Sequence, residues 1–166
     1  HDRNQACREQ PVYRIPEIFI FLTQDAMPVD EYLVEKLTAN LRGKVAAAYG
    51  RQLAGKQSNE LEKLSREFNY PPVSRIKSLE DLPELGIKTF FCSDVCAAYR
   101  RDIYEELGGF VRHTIFNEDM IFARRLLNAG GSIAYAADAE VYHSHNYTGI
   151  QQLKRNFDLG VSHAQY

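Results

Sequence analysis

The sequence has 166 residues and a formal net charge of −2, which gives no general electrostatic attraction to nucleic acid. Its 45% hydrophobic and 25% charged content is typical of a globular protein, and its length predicts a single domain over residues 1–166. No apolar stretch approaches the roughly 18 residues needed to span a membrane, and no signal-peptide pattern is present.

The first half of the chain alternates apolar runs with helical patterns. Ile18–Leu22 is an uninterrupted apolar run, as in a strand that is covered on both faces of a mainly parallel sheet. A helix is predicted over 28–43, with proline near its start and glycine at its end. A short strand over 45–49 and an amphipathic helix over 58–68 follow, and 72–86 is predicted to be a loop.

The second half continues this alternation. Strands are predicted over 87–92, 132–136 and 140–145. Helices are predicted over 101–107, 118–128 and 148–160. Strands that alternate with helices predict an α/β fold, here a mixed but mainly parallel sheet flanked by helices.

Asp25 is the first candidate site residue, because it follows the apolar run 18–22 almost directly. In open α/β sheets, ligands bind beyond the carboxyl ends of the strands. A carboxylate there can hold Mg²⁺ or Mn²⁺ against a diphosphate. The alternative is that Asp25 caps the helix predicted from residue 28.

Glu118 and Asp119 form an acidic pair in the first turn of the helix predicted over 118–128. Such residues complement the helix dipole, which is the structural interpretation. The same position can hold an ionised carboxylate rigidly over a cleft, as a general base requires.

His143-Ser144-His145 places two histidines at a spacing of two residues. On a strand, residues i and i+2 share a face, so both imidazoles could bind one metal ion. The alternative is a polar sheet face with one hydrogen-bonded histidine.

The three cysteines Cys7, Cys92 and Cys96 are odd in number and have no C-x-x-C spacing. This pattern favours reduced thiols, as in a cytosolic protein, over a disulfide or a zinc site.

Several segments, taken together, resemble one family. The segments are Phe21-Leu22-Thr23-Gln24-Asp25-Ala26, Tyr49-Gly50-Arg51-Gln52, Phe68-Asn69-Tyr70-Pro71, 86–101, Leu107-Gly108-Gly109-Phe110, Asn117-Glu118-Asp119-Met120 and Val141-Tyr142-His143-Ser144-His145-Asn146-Tyr147. In this order and spacing the chain resembles family 2 glycosyltransferases with the GT-A fold. It is most similar to bacterial dTDP-rhamnosyltransferases of O-antigen and exopolysaccharide assembly.

The resemblance implies a donor and metal site. The family's D-x-D motif falls on Thr23-Gln24-Asp25, of which only Asp25 is a carboxylate. The pair Arg3-Asn4 resembles the R-N pair near the donor diphosphate. The implied cofactor is Mg²⁺ or Mn²⁺, bound by Asp25 and a histidine late in the fold, with His145 as the first choice and His143 in reserve.

The resemblance also implies an inverting transfer. Asp119 falls on the catalytic base, Glu118 lies beside it for acceptor binding, and Asp94 is an expected acceptor contact. The implied donor is a nucleotide sugar, dTDP-rhamnose, and the implied acceptor is a saccharide or a lipid-linked saccharide. No nucleic acid partner is expected.

GT-A enzymes begin with a strand–helix–strand unit that binds the nucleotide base, and the resemblance places the start of this chain after that unit. The chain is therefore expected to be a core fragment with a partial GT-A fold, inactive by itself. Its exposed sheet edge favours self-association into a homo-oligomer. The implied location is cytoplasmic, with peripheral attachment at the inner face of the membrane.

Two other functions fit parts of the pattern. Asp25, His143 and His145 could form the site of a metal-dependent hydrolase, which needs three protein ligands on one metal. The second alternative is a non-catalytic carbohydrate-binding or interaction domain, although such a domain needs no carboxylate at the end of a buried strand.

Overall fold

The computed structural model describes residues 16–114 and 116–165. The strands are β1 Ile18–Leu22, β2 Met27–Pro28, β3 Val45–Leu53, β4 Arg75–Lys77, β5 Cys96–Arg100 and β6 Ser132–Tyr142. The helices are α1 Leu33–Thr38, α2 Glu60–Asn69, α3 Leu82–Leu85, α4 Arg101–Glu106, α5 Glu118–Asn128 and α6 Gly149–Gln165. Two 3₁₀ segments, Leu79–Asp81 and Gly86–Phe90, flank α3.

The strands form one sheet in the order β1-β5-β3-β6-β2, and β4 pairs with a further part of β6. The predicted α/β class with a mixed sheet flanked by helices is confirmed. The prediction that the sheet is mainly parallel is wrong, because β3–β6 is the one parallel pair among the strands that the structure describes.

The physical reason lies in what an apolar run can indicate. The run in β1 suggested burial on both faces, but among the described strands β1 pairs only with β5, through antiparallel bonds. Ile20 and Leu22 of this strand are 43% and 44% exposed. A continuous apolar run therefore does not distinguish a buried parallel strand from an edge strand.

The core has two layers, one on each face of the sheet. Alternate residues of the central strands point to opposite faces. One layer joins Tyr49, Tyr99 and Tyr135 to Phe122 and Leu126 of α5. The other joins small side chains such as Ala48, Ala98 and Ala134 to Leu33 and Leu37 of α1.

Several predicted elements need correction. Residues 87–92 were expected to form a strand, but Gly86–Phe90 is a 3₁₀ segment, and its first residue, Gly86, has a φ of 55°. β5 was not predicted, because its Cys-Ala-Ala-Tyr sequence has no β-branched residue. The two strands expected over 132–136 and 140–145 are one strand, β6, which ends at Tyr142.

One helix and one loop also differ from expectation. The helix predicted over 28–43 is shorter, since α1 begins at Leu33 and ends at Thr38. The segment 72–86, expected to be a loop, contains β4 and α3. In contrast, α5 has the predicted bounds, and Gly130 follows it at a φ of 83°.

The strand directions determine where a site can form. β3 and β6 are parallel, and β1 runs in the same direction because β5 is antiparallel to both β1 and β3. The carboxyl ends of β1, β3 and β6 therefore meet at one edge of the sheet, as expected for a ligand site in an α/β fold.

Cys92 and Cys96 are both buried free thiols, as predicted. Burial raises the pKa of Cys96 to about 11, so its thiol stays protonated at neutral pH.

Candidate active site

Asp25 lies in the turn between β1 and β2, with its side chain 50% exposed. It does not cap a helix, because α1 starts at Leu33 with Tyr32 at its N-cap. The partial burial of Asp25 opposes ionisation, but a hydrogen bond from the Thr23 side chain and the charge of His143 outweigh it and lower its pKa. Asp25 is therefore an anion that faces the solvent at the carboxyl end of a strand.

Two histidines approach this carboxylate from the segment after β6. The Nε2 atom of His143 lies 3.4 Å from Asp25 Oδ2, and that of His145 lies 3.8 Å from the same oxygen. Their rings meet edge to face with centroids 4.6 Å apart. Although β6 ends before them, both imidazoles reach the same side, as the spacing predicted.

These three side chains form a candidate metal site. Each offers one ligand atom, and the three atoms lie within 4.8 Å of one another. A carboxylate and two imidazoles fit a divalent ion, and imidazole donors suit transition-series ions better than Mg²⁺. Burial lowers the pKa of His143 to about 4, and the charge of Arg66 acts in the same direction. The ring is therefore neutral at neutral pH, as metal ligation requires.

Asp119 lies in the first turn of α5, after Asn117 in the left-handed conformation at a φ of 69°. Its Oδ1 atom accepts a 2.7 Å hydrogen bond from the backbone N–H of Met120, and its Oδ2 atom accepts one of 3.3 Å from the N–H of Asp94. Burial raises the pKa of Asp119 to about 6, and the charge of Glu118 acts in the same direction. A carboxylate with this pKa can exchange a proton near neutral pH.

Asp94 lies in the turn before β5 and faces the same region. Its Oδ1 atom accepts a 2.5 Å hydrogen bond from the hydroxyl of Tyr99. Burial raises the pKa of Asp94 to about 7, and the charges of Asp119 and Glu118 contribute to the rise. Two half-buried carboxyl groups thus lie close enough for the charge of one to raise the pKa of the other.

One cleft of about 290 Å³ is lined by three of these candidate residues, His143, His145 and Asp119. His143 and His145 line one part of it, and Asp119 lines another. The polar faces of two helices complete the wall, through Glu62, Ser65, Arg66 and Asn69 of α2 and Gln152, Arg155 and Asn156 of α6. The cleft is therefore lined by the candidate general base and by two of the three candidate metal ligands.

Comparison with known proteins identifies the family. The model of the family described as "Glycosyltransferase like family 2" matches residues 26–157. The chain belongs to glycosyltransferase family 2.

Two curated proteins are similar over most of the chain. It is 47% identical to the O-antigen chain rhamnosyltransferase RfbN of Salmonella typhimurium strain LT2, over 89% of the chain and 48% of that protein. It is 48% identical to the O-antigen chain rhamnosyltransferase WbaN of Salmonella anatum, over 89% of the chain and 47% of that protein. The chain thus spans about half the length of these relatives.

The expected partial GT-A fold agrees with membership of family 2. The expected D-x-D position, Thr23-Gln24-Asp25, lies in an exposed turn, and Asp25 is its only carboxylate. The expected donor contact Arg3-Asn4 lies outside the described residues, as does Cys7. Glu118 is half-buried beside Asp119 at the start of α5.

Three site residues of this family 2 chain were missed in the sequence. Gln52 at the end of β3 and Glu62 and Arg66 of α2 line the cleft. Arg66 Nε donates a 2.8 Å hydrogen bond to Glu62 Oε1, which also accepts one of 3.2 Å from the His145 backbone N–H. For Glu62 and Arg66 the only signal in the sequence was their spacing of four residues, which is common in solvated helices.

Among the described residues, no helix is both long and apolar enough to cross a lipid bilayer.

Proposed function

We propose that the protein carrying this chain is an inverting glycosyltransferase. It moves a deoxyhexose, L-rhamnose from dTDP-rhamnose, onto a sugar hydroxyl during bacterial surface polysaccharide synthesis. The observation that carries this proposal is the cleft lined by Asp119 and by His143 and His145, the two histidines that converge on Asp25. The names of the two relatives, both O-antigen chain rhamnosyltransferases, support the donor and the pathway.

Asp119 is the general base of this proposal. Its carboxylate takes the proton of an acceptor hydroxyl, and the resulting oxygen attacks the anomeric carbon of the donor sugar. The bond from that carbon to the diphosphate breaks, the nucleoside diphosphate leaves with the electron pair, and the new glycoside has inverted configuration. Two backbone N–H groups, of Met120 and Asp94, fix the orientation of the carboxylate for this proton transfer.

Asp25, His143 and His145 hold the divalent cation in this proposal. When bound, the cation offsets the negative charge that develops on the departing diphosphate. The exposure of Asp25 leaves room for phosphate oxygens to approach from the open side of the site. Of the two expected ions, Mn²⁺ fits the two imidazole ligands better than Mg²⁺ does.

Glu118 and Asp94 are proposed to contact the acceptor, a saccharide or lipid-linked saccharide. Both carboxyl groups lie next to Asp119, where a sugar hydroxyl must sit to be deprotonated. At pH 7 Asp94 is partly protonated, so it can both donate to and accept from a sugar hydroxyl. A lipid-linked acceptor would place the enzyme in the cytoplasm, at the inner face of the membrane.

A metal-dependent hydrolase remains the second candidate, because the three ligands it requires do converge. A structural or hydrolytic zinc site would retain its metal through purification. The proposed transferase would bind Mn²⁺ weakly and exchangeably, so metal analysis of the purified protein separates the two functions.

The proposal is tested with the protein expressed from its complete gene. It is incubated with Mn²⁺, an acceptor extract and a panel of sugar nucleotides, and the release of nucleoside diphosphate is followed. We expect release from dTDP-rhamnose, its loss in Asp25→Ala, and its retention in Asp138→Ala, which removes an exposed carboxylate of β6 away from the cleft. Release from a UDP- or GDP-sugar instead would contradict the rhamnosyl donor. Hydrolysis of the sugar nucleotide to free sugar, without transfer to an acceptor, would support the hydrolase.

A further inference from the structure

Gln52 is a polar side chain in the interior, only 2% exposed, near the end of β3. The register between β3 and β6 shifts between Gly50 and Arg51, after which Gln52 pairs with Val141. Because Val141 precedes His143 by two residues, this pairing brings Gln52 close to His143. The proposed transfer reaction gives Gln52 no direct task, so its burial at the site needs another explanation.

The hydrogen bonds of Gln52 fix which end of its amide is oxygen. Arg66 Nη1 donates to Gln52 Oε1, and a guanidinium can only donate. The other end of the amide, Nε2, donates to the hydroxyl of Tyr70 at 2.6 Å and to Ser93 Oγ at 2.9 Å. Every polar atom of the buried amide thus has a partner, and its orientation follows from the arginine.

This orientation determines the protonation pattern of His143. Its Nδ1 atom lies 2.9 Å from Gln52 Oε1. A carbonyl oxygen can only accept, so Nδ1 must carry the hydrogen. In a neutral imidazole the lone pair then resides on Nε2, the atom that lies 3.4 Å from Asp25.

We propose that Gln52 is a positioning residue that holds His143 in the Nδ1–H tautomer and so presents Nε2 to a divalent cation. The metal half of this inference rests on the proposed function, but the tautomer itself does not. Partners beyond the ligands of a metal commonly fix the tautomer and ring orientation of a ligating histidine. Here the partner is a neutral side-chain amide that is itself held by Arg66, Tyr70 and Ser93.

The test uses the protein from its complete gene, labelled with ¹⁵N-histidine and freed of metal. Two-bond ¹⁵N–¹H correlations identify which ring nitrogen of His143 carries hydrogen, with the peak assigned by its loss in His143→Gln. A second readout is the Kd for Mn²⁺ alone, measured by electron paramagnetic resonance. Neither readout requires a donor, an acceptor or transfer activity.

Two matched variants separate positioning from general packing. Gln52→Leu removes the acceptor for Nδ1–H, whereas Gln52→Glu keeps an acceptor oxygen while losing the same amide donors. We expect Gln52→Leu to lose the Nδ1–H tautomer and to bind Mn²⁺ about 10- to 100-fold more weakly. We expect Gln52→Glu to retain the Nδ1–H form and an Mn²⁺ Kd within a few-fold of the wild type.

Ser93→Ala is the control for a local disturbance, because it removes a partner of Gln52 but none of His143. It should leave the tautomer unchanged. If Gln52→Leu does not fold, Gln52→Met repeats the test with an unbranched side chain of similar length.

The inference is overturned if Gln52→Leu retains the Nδ1–H tautomer with unchanged Mn²⁺ affinity, or if Ser93→Ala loses the tautomer as well. A wild-type protein that binds no Mn²⁺ would overturn the metal half and, with it, the metal role in the proposed function. A protein that binds Mn²⁺ and responds as expected, yet transfers no sugar, would support this inference and contradict only the transfer reaction.

Discussion

Asp119 shows how the surroundings of one carboxyl group can prepare it for proton transfer. The sequence placed it in the first turn of a helix, where the helix dipole keeps a carboxylate ionised. In the structure burial dominates instead and raises its pKa to about 6. The sequence could predict the position of this group but not its pKa, because burial depends on the segment around Asp94, which is distant in the chain.

The raised pKa predicts the pH dependence of transfer. Below pH about 6 Asp119 gains a proton and cannot act as a base, so the rate should fall as the pH decreases through this value. Glu118→Gln removes a charge that raises the pKa of Asp119, so its acid limb should lie at lower pH than that of the wild type. The measurement is kcat against pH for both proteins at saturating Mn²⁺. A rate that is constant from pH 5 to pH 7 would contradict the assignment.

The metal cluster was predicted from the sequence only in part. Asp25 and the H-x-H spacing indicated the three candidate ligands that the structure brings together, although His143 was held in reserve behind His145. The structure places both within reach of Asp25, with His143 the closer by atom distance. Gln52 belongs to a segment that resembles the family, but nothing in the sequence indicated its contact with His143, because a glutamine in a strand does not reveal its partners.

At the scale of elements, the helices with clear terminal signals were predicted best. α5 begins with two acidic residues and is followed by glycines, and its bounds were predicted correctly. Elements that depend on tertiary contacts were not. β5 is rich in alanine, a helix former, yet Ala97 and Ala98 are fully buried between two neighbouring strands.

Gly50 illustrates how one backbone position aligns two strands. A Cβ atom at this residue would lie 2.5 Å from the carbonyl oxygen of Ala139 and 3.1 Å from Cys96 Sγ. This close approach occurs at the register shift between β3 and β6, immediately before Arg51 and Gln52. Only glycine allows it without moving β6, which carries His143 beyond its end.

We therefore expect Gly50→Ala to destabilise the protein by about 1–3 kcal/mol, through overpacking against a backbone atom. Gly160→Ala is the matched control, because a Cβ there meets nothing within 4 Å and the residue lies within α6. Alanine in a helix interior should stabilise by roughly 0.5–1 kcal/mol. Urea unfolding of both variants gives the comparison, and equal effects would contradict the packing argument.

At the scale of the whole molecule, α2 and α6 turn their polar faces to the cleft and their apolar stripes outward. The stripes are exposed large side chains: Leu61, Leu64, Phe68, Ile150, Leu153 and Phe157. The helical spacing of these residues was visible in the sequence, but the direction of each stripe was not. A stripe shows that a helix has two faces, and only the packing of the chain shows which face meets the cleft.

The chain spans about half the length of the relatives it matches, yet the described residues contain both halves of the candidate site. The edge of the sheet where β1, β3 and β6 end supplies the candidate metal ligands, and the start of α5 supplies the proposed base. Self-association through the sheet edge stays a prediction, as does the assignment of the whole chain to a single domain.

The central claim is that one cleft divides the reaction between a metal cluster and a separate base. The most direct measurement compares Asp119→Asn with Asp25→Ala in the protein from its complete gene, recording Mn²⁺ affinity and rhamnosyl transfer for each. We expect Asp119→Asn to bind Mn²⁺ like the wild type but to lose about 10²–10⁴-fold in transfer rate, and Asp25→Ala to lose Mn²⁺ binding and transfer together. Transfer that survives in folded Asp119→Asn, or Mn²⁺ affinity that is unchanged in Asp25→Ala, would contradict the account.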